Sequence, residues 1–132
     1  MNHSLNARHI DELRATMTAR ASQLREEIRQ TLLKSDNEQY TMIADQVRDL
    51  EDDSFADLMV DVNLAEIDRD LQELRLIDAA FLRMGDGTYG LCDACDNPIE
   101  IERLRATPFA SRCFDCQSAF ERNHVQNIGH TL

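Results

Sequence analysis

The sequence has no tryptophan, two prolines and four glycines among 132 residues, and aromatic residues make up only 5%. What remains is rich in Leu, Ala, Glu, Asp, Arg and Gln, a composition of helix formers. Basic residues are also scarce: 14 Lys and Arg face 25 Asp and Glu, a formal net charge of −11. Binding to nucleic acid is driven by neutralising phosphates with cationic side chains, so this balance works against free DNA or RNA as the main partner. No run of about 18 apolar residues occurs, and Met1 to Leu13 has no basic segment leading into an apolar run. The expectation is a cytoplasmic protein without a membrane partner. The length fits one domain, or a compact module with a helical extension, and leaves little room for a large enzyme core. Ser/His/Asp spacing, a phosphate-cradling glycine loop and H-E-x-x-H are all missing. No catalytic nucleophile is nominated, and an enzyme is not expected.

The apolar residues that are present fall at helical spacing. From about Ser4 to Gln46, Ile10, Leu13, Met17, Leu24 and Ile28 keep to one side of a helix. The polar interval Lys34 to Gln39 interrupts the stripe, predicting a bend or fraying before Met42, Ile43, Val47 and Leu50 resume it. The run from Asp49 to Ser54 concentrates four carboxylates and ends in a residue that caps helices well, because its hydroxyl can accept an unpaired amide hydrogen of the next first turn. It is read as the turn between two helices. A second helix, from about Phe55 to Met84, carries Val60, Leu64, Ile67, Leu71, Leu74 and Phe81 in a three-four alternation broken at Asp78. The expected fold is mainly α: a long antiparallel coiled-coil hairpin, its tip at about 48–55, with a four-cysteine zinc finger and a short C-terminal helix from Cys113 to about Asn123. A compact three-helix bundle is the alternative. The expected division is 1–86 for the hairpin, 87–124 for the finger with its helix, and 125–132 for a poorly specified tail. At about 1.5 Å per residue, helices of about 30 residues would carry the acidic turn on the order of 45 Å from their base. Gly85, Gly87 and Gly90 mark the exit from the second helix.

Cys92-Asp93-Ala94-Cys95 and Cys113-Phe114-Asp115-Cys116 are two C-x-x-C units separated by 17 residues. That spacing suits one tetrahedral four-thiolate Zn²⁺ site. Four protein ligands leave no open position for water or substrate, so the expected metal is structural. Two disulfides or thioredoxin-like chemistry are the rival readings, but there is no secretion signal and no βαβ pattern around the motifs. His3, His9, His124 and His130 lie outside both units and read as surface residues, since four thiolates already fill the site.

The segment 87–117 carries Tyr89-Gly90-x-Cys92-x-x-Cys95, Pro98-Ile99, Arg103-Leu104-x-Ala106-x-Pro108 and Cys113-x-x-Cys116. These motifs resemble the zinc finger of the DksA/TraR family of bacterial transcription regulators, and a helical hairpin before the finger extends the likeness over most of the chain. In that family the coiled coil enters the secondary channel of RNA polymerase, and acidic residues at its tip change open-complex stability. The tip pattern is Asp-x-x-Asp-x-Ala. Counting back from Cys92 without gaps puts Asp49, Asp52 and Ser54 on it, with Ser54 a departure from alanine. For Asp49 and Asp52 the plainer alternative is that of solvated carboxylates facing a helix N-terminus. In the best-known members, basic residues help bind guanosine tetraphosphate against the polymerase. The matching positions here are Leu76, Thr107 and Gln117, and only Arg69 keeps its charge. The resemblance therefore implies a regulator with weak or no dependence on the nucleotide, because a multiply charged phosphate needs fixed cationic donors.

The leading expectation is a monomeric RNA polymerase-binding regulator that does not bind DNA directly. A zinc ribbon binding nucleic acid is the first alternative. It would need a basic face, for which Arg103, Arg105 and Arg112 stand against Glu100 and Glu102. A thiol redox sensor is the second alternative, and zinc release on mild oxidation would favour it.

Overall fold

The computed structural model describes residues 5–47, 55, 59 and 65–130, with side chains as far as 123. Within them lie helices α1 (Ala7–Lys34), α2 (Glu38–Val47), α3 (Ala65–Asp86), α4 (Ile101–Ala106) and α5 (Phe114–His130). The described residues contain no strand; one isolated antiparallel bridge joins Leu91 and Pro98. The expected mainly α architecture is the observed one. The proposed tip, with Asp49, Asp52 and Ser54, lies outside the described residues, as do Leu50, Val60 and Leu64 of the expected stripes.

The chain groups into two compact units, Thr18–Leu76 and Met1–Met17 with Ile77–Leu132. This differs from the expected cut at 86/87, because residues near the N-terminus make their contacts with the finger segment. Within Thr18–Leu76, two pairs give the direction of packing. Arg20 grips Glu73 through Nε and Nη2 at 2.7 and 3.0 Å, and the Glu27 carboxyl stands close enough to Asp70 to raise its pKa. Partner numbers fall as residue numbers rise, so this part of α1 runs antiparallel to α3. Leu24, Ile28, Leu32, Ile43, Ala44, Val47, Phe55, Met59, Ile67, Leu71 and Leu74 are the buried core of the unit. Each fully buried Leu or Ile contributes about 1.5–3 kcal/mol relative to exposure.

The bend expected in the interval Lys34 to Gln39 is a built corner between two helices, α1 and α2. Ser35 N–H closes the end of α1 on the Leu32 carbonyl, and Asn37 Oδ1 accepts from the Gln39 and Tyr40 amides at 2.8 and 3.4 Å. Ser, Asp and Asn in succession favour such local side-chain bonds over helix continuation. The corner resets the register. Ile43, Ala44 and Val47 face inward, whereas Met42, expected in the stripe, is 63% exposed. In α3 the expected break at Asp78 does not occur: the buried seam steps to Ile77 and Ala80, and Phe81 is half-buried. At 3.6 residues per turn a strict three-four alternation drifts off one face, and the seam moves back one residue to compensate.

Within the other unit, α1 begins with reciprocal capping. Asn6 Oδ1 accepts the His9 amide at 2.9 Å and His9 Nδ1 accepts the Asn6 amide at 3.2 Å, which satisfies two otherwise unpaired donors. His9 thus has a structural partner. At the far end of α3, Gly87 has φ +86, and the Thr88 amide donates to the Arg83 carbonyl at 3.0 Å. A left-handed residue followed by this bond is the Schellman stop, which glycine adopts without a Cβ penalty. Helix α5 runs to His130, beyond the expected end near Asn123 and through most of the expected tail.

Candidate metal centre

The first cysteine pair sits on a tight knuckle. Cys92 N–H donates to the Asn97 carbonyl at 2.8 Å and Asp96 N–H to the Cys92 carbonyl at 2.9 Å. This reversal puts Asp96 at φ +64, a left-handed conformation that short polar residues tolerate. The second pair opens α5: Cys113 precedes its first residue, and Cys116 lies in its first turn. One amide per knuckle approaches a sulfur, Ala94 N–H to Cys92 Sγ at 3.4 Å and Cys116 N–H to Cys113 Sγ at 3.5 Å. Such contacts favour the thiolate over the thiol.

Short bonds hold the two knuckles together. The Asp93 amide donates to the Ser111 carbonyl at 2.8 Å, and Arg103 Nε to the Arg112 carbonyl at 2.9 Å, next to Cys113. Tyr89, buried, donates its hydroxyl to the Pro108 carbonyl at 2.7 Å, and Arg83 reaches the Phe109 carbonyl at 3.3 Å. Ile99 and Leu104 pack beneath them, fully buried. Gly90 stands at φ +88 with Leu5 directly over its α-carbon, so a Cβ there would meet the Leu5 methyl.

All four Sγ atoms lie within 4.8 Å of one another, and Cys95 and Cys113 are 3.9 Å apart. Zn–S bonds of about 2.3 Å in a tetrahedron give sulfur-to-sulfur edges of about 3.8 Å. All four cysteines are free, at separations that fit a shared ion and are far longer than an S–S bond of about 2.05 Å. Cys92 and Cys113 are buried, Cys116 partly so, and Cys95 exposed. The donor set and its spacing match one structural zinc ion.

The thiols themselves show why a cation belongs there. Burial pushes the Cys92 thiol up, yet backbone N–H groups at Cys113, Ala94 and Cys95 outweigh it and bring it down to about 6. Cys116 is pushed up to about 12, chiefly by hydrogen bonding with the Cys113, Cys95 and Cys92 sulfurs. Cys95 is also raised: the Asn97 amide lowers it, but desolvation together with its sulfur bonds to Cys92 and Cys113 outweighs that. Without metal, the Cys92 thiolate forms readily, whereas Cys95 and Cys116 resist adding negative charge beside it. A divalent cation removes that conflict and expels the protons.

Sequence reasoning named the four cysteines but not the arginines that brace them. Arg112 spans three partners: its guanidinium lies 4.2 Å from the Phe120 ring centroid, donates to Gln117 Oε1 at 3.2 Å, and stands 3.8 Å from Asp93. Arg105 pairs with Glu12 at 3.2 Å. The three cations considered for a nucleic-acid face are thus engaged within the fold. Of the positions matched to nucleotide contacts, Arg69 is exposed and Thr107 half-buried, and Leu76 is an exposed apolar residue. Gln117 accepts from Arg112 and donates to Glu121 at 2.8 Å.

Residues 87–122 match the prokaryotic dksA/traR C4-type zinc finger. The chain is 26% identical over 125 residues to the RNA polymerase-binding transcription factor DksA of Escherichia coli (strain K12), an alignment covering 95% of this chain and 80% of that protein. It is 40% identical over 65 residues to general stress protein 16O of Bacillus subtilis (strain 168), covering 49% of this chain and 39% of that protein's length. In fold it is similar to the solved structure of transcription factor DksA2 from Pseudomonas aeruginosa, with a TM-score of 0.63 at 21% identity over 90% of this chain and 88% of that one. Residues 87–122 thus carry the prokaryotic dksA/traR C4-type zinc finger, on a chain that is similar to DksA along nearly its whole length.

Proposed function

We propose that this protein is a bacterial transcription regulator that binds RNA polymerase and catalyses no reaction itself. The observation that carries this reading is the likeness to an RNA polymerase-binding transcription factor over 95% of the chain, finger included. In this reading the acidic segment with Asp49, Asp52 and Ser54 enters the secondary channel and alters open-complex stability, while zinc secures the base. The protein works as a cytoplasmic monomer and does not contact DNA directly. Engagement of Arg103, Arg105 and Arg112 within the fold supports the last point, since a nucleic-acid face needs cations available to phosphates.

The action has weak or no dependence on guanosine tetraphosphate. Leu76 and Thr107 offer no cation, Gln117 is tied to Arg112 and Glu121, and Arg69 is left as the sole charged remnant. The test is the lifetime of open complexes formed by bacterial RNA polymerase at a ribosomal RNA promoter, without nucleotide, using the intact protein and Asp52→Asn. The intact protein is expected to shorten the lifetime and the variant to leave it unchanged. An intact protein that binds polymerase yet leaves the lifetime unchanged would overturn the channel reading, and strong synergy with the nucleotide would overturn the second.

A further inference from the structure

The loop that delivers the third cysteine is held by its carbonyls. Between α4 and α5, the Pro108 carbonyl accepts from the Tyr89 hydroxyl at 2.7 Å, that of Phe109 from Arg83 Nη2 at 3.3 Å, that of Ser111 from the Asp93 amide at 2.8 Å and that of Arg112 from Arg103 Nε at 2.9 Å. The last of these grips differs in kind. The Arg112 carbonyl and the Cys113 N–H belong to one planar peptide group, so a donor fixed on that carbonyl sets the plane from which Cys113 departs. Arg103 itself is held in turn: it lies on α4, half-buried next to the fully buried Leu104, and its own carbonyl accepts the Thr107 amide at 2.8 Å.

On the other side of that plane stand the sulfurs. The Cys113 sulfur accepts from the Cys116 amide at 3.5 Å and lies 3.9 Å from the Cys95 sulfur, and the Cys113 N–H is among the backbone groups that favour the Cys92 thiolate. A peptide group whose carbonyl accepts while its N–H donates is polarised by both bonds, and each strengthens the other. Charge works in the same direction. Four thiolates outweigh one Zn²⁺ by two negative charges, an excess that cations and hydrogen bonds beyond the ligands offset. Of the finger's arginines, Arg105 is paired with Glu12 at 3.2 Å and Arg112 stands 3.8 Å from Asp93. Among the described residues no carboxylate pairs with Arg103, whose guanidinium is held by a carbonyl instead.

We propose that Arg103 is a positioning residue of the zinc centre: through the Arg112 carbonyl it sets the peptide group that carries Cys113, and its charge offsets the excess of the thiolates, so that the metal is retained. This role does not depend on polymerase binding. The test compares the rate at which the zinc-loaded full chain and its variants release metal to a chromogenic chelator. Arg103→Met, which keeps the stem but loses donor and charge, is expected to release zinc about tenfold faster or more. Arg103→Lys, which keeps the charge and a donor, should fall between the two. Arg83→Met removes the neighbouring grip on the Phe109 carbonyl, four residues before Cys113, and should leave the rate close to that of the intact chain. An unchanged rate in Arg103→Met would mean that the bond carries nothing to the metal, and equal acceleration in Arg83→Met would mean general loosening of the loop; either overturns the proposal. Circular dichroism reports whether Arg103→Met keeps its helices, and if it does not, the intact protein decides. By ¹⁵N NMR the Arg103 Nε–H signal is expected to move when the larger Cd²⁺ replaces Zn²⁺, with the Arg20 Nε–H, bonded to Glu73, as the unmoved reference. An Arg103 signal as still as that of Arg20 also overturns the proposal.

Discussion

The Tyr89 hydroxyl donates to the carbonyl of Pro108 at 2.7 Å, tying the residue three before the first zinc ligand to the loop five before the third. The bond is part-buried, and burial pushes the Tyr89 phenol up to about 12.

Tyr89→Phe keeps the ring and leaves the Pro108 carbonyl short of a donor. The expected cost is about 1–2 kcal/mol of finger stability, read by denaturant unfolding of the zinc-loaded protein. The phenol also sets an alkaline limit. Its folded-state value lies above the ordinary value of 10.0, so its contribution is complete below that pH and is lost as pH rises toward about 12. Tyr89→Phe should flatten this part of the stability profile; an unchanged profile would show that the bond is not retained in solution.

Zinc uptake should release protons. Cys95 and Cys116 resist ionisation beside their neighbours, so at neutral pH the metal must displace more than one proton, and affinity should fall steeply in acid. Calorimetry in buffers of different ionisation enthalpy measures the number directly. Chelation is expected to speed amide exchange across 87–122 far more than in the Leu24–Leu71 core. Equal acceleration in both would remove the structural role given to the metal.

Leu24 and Met42 make a contrast within one unit. Leu24 is fully buried and Met42 is 63% exposed. Leu24→Ala should cost about 2–5 kcal/mol and Met42→Ala within about 0.5 kcal/mol. Similar costs at the two sites would contradict the inward face assigned to α2.

Asp70 supplies a pH test of α1–α3 packing. Burial raises its carboxyl above the ordinary value, and Glu27 raises it further, against the lowering effect of Arg20. A folded-state value above the unfolded one means that stability is present at low pH and is lost as the pH climbs through the folded value. Asp70→Asn, which can still donate to Glu27, should therefore stabilise the protein at pH 7, with a gain that fades in acid. A gain independent of pH would point to another cause.

Much of the fold was readable because two signals are local. The paired C-x-x-C units point to a metal site where no βαβ pattern surrounds them, and Leu13, Met17, Leu24 and Ile28 recur at a helical period over a long stretch. The errors arose where local chemistry interrupts a period. Ser35 and Asn37 turn the chain and move the inward face from Met42 to Ile43 and Ala44, and Ile77 replaces the expected break at Asp78. The bracing of the centre was not legible at all. Arg103, Arg112 and Leu5 act through partners set by tertiary folding, and an arginine that holds a carbonyl looks in sequence like one that faces water.

Glu12 and Arg105 form an ion pair across 93 intervening steps of chain, and Leu5 covers Gly90. Both consequences concern biosynthesis. A ribosome adding about 5–20 residues per second exposes Glu12 roughly 5–20 s before Arg105 is made. The unit Thr18–Leu76 is one contiguous stretch and can condense while translation continues. The other unit needs both early and late residues, and its last two zinc ligands follow residue 112. Metal loading is therefore the closing event of folding, and a nascent chain halted before Cys113 carries a finished helical pair with a finger unable to close.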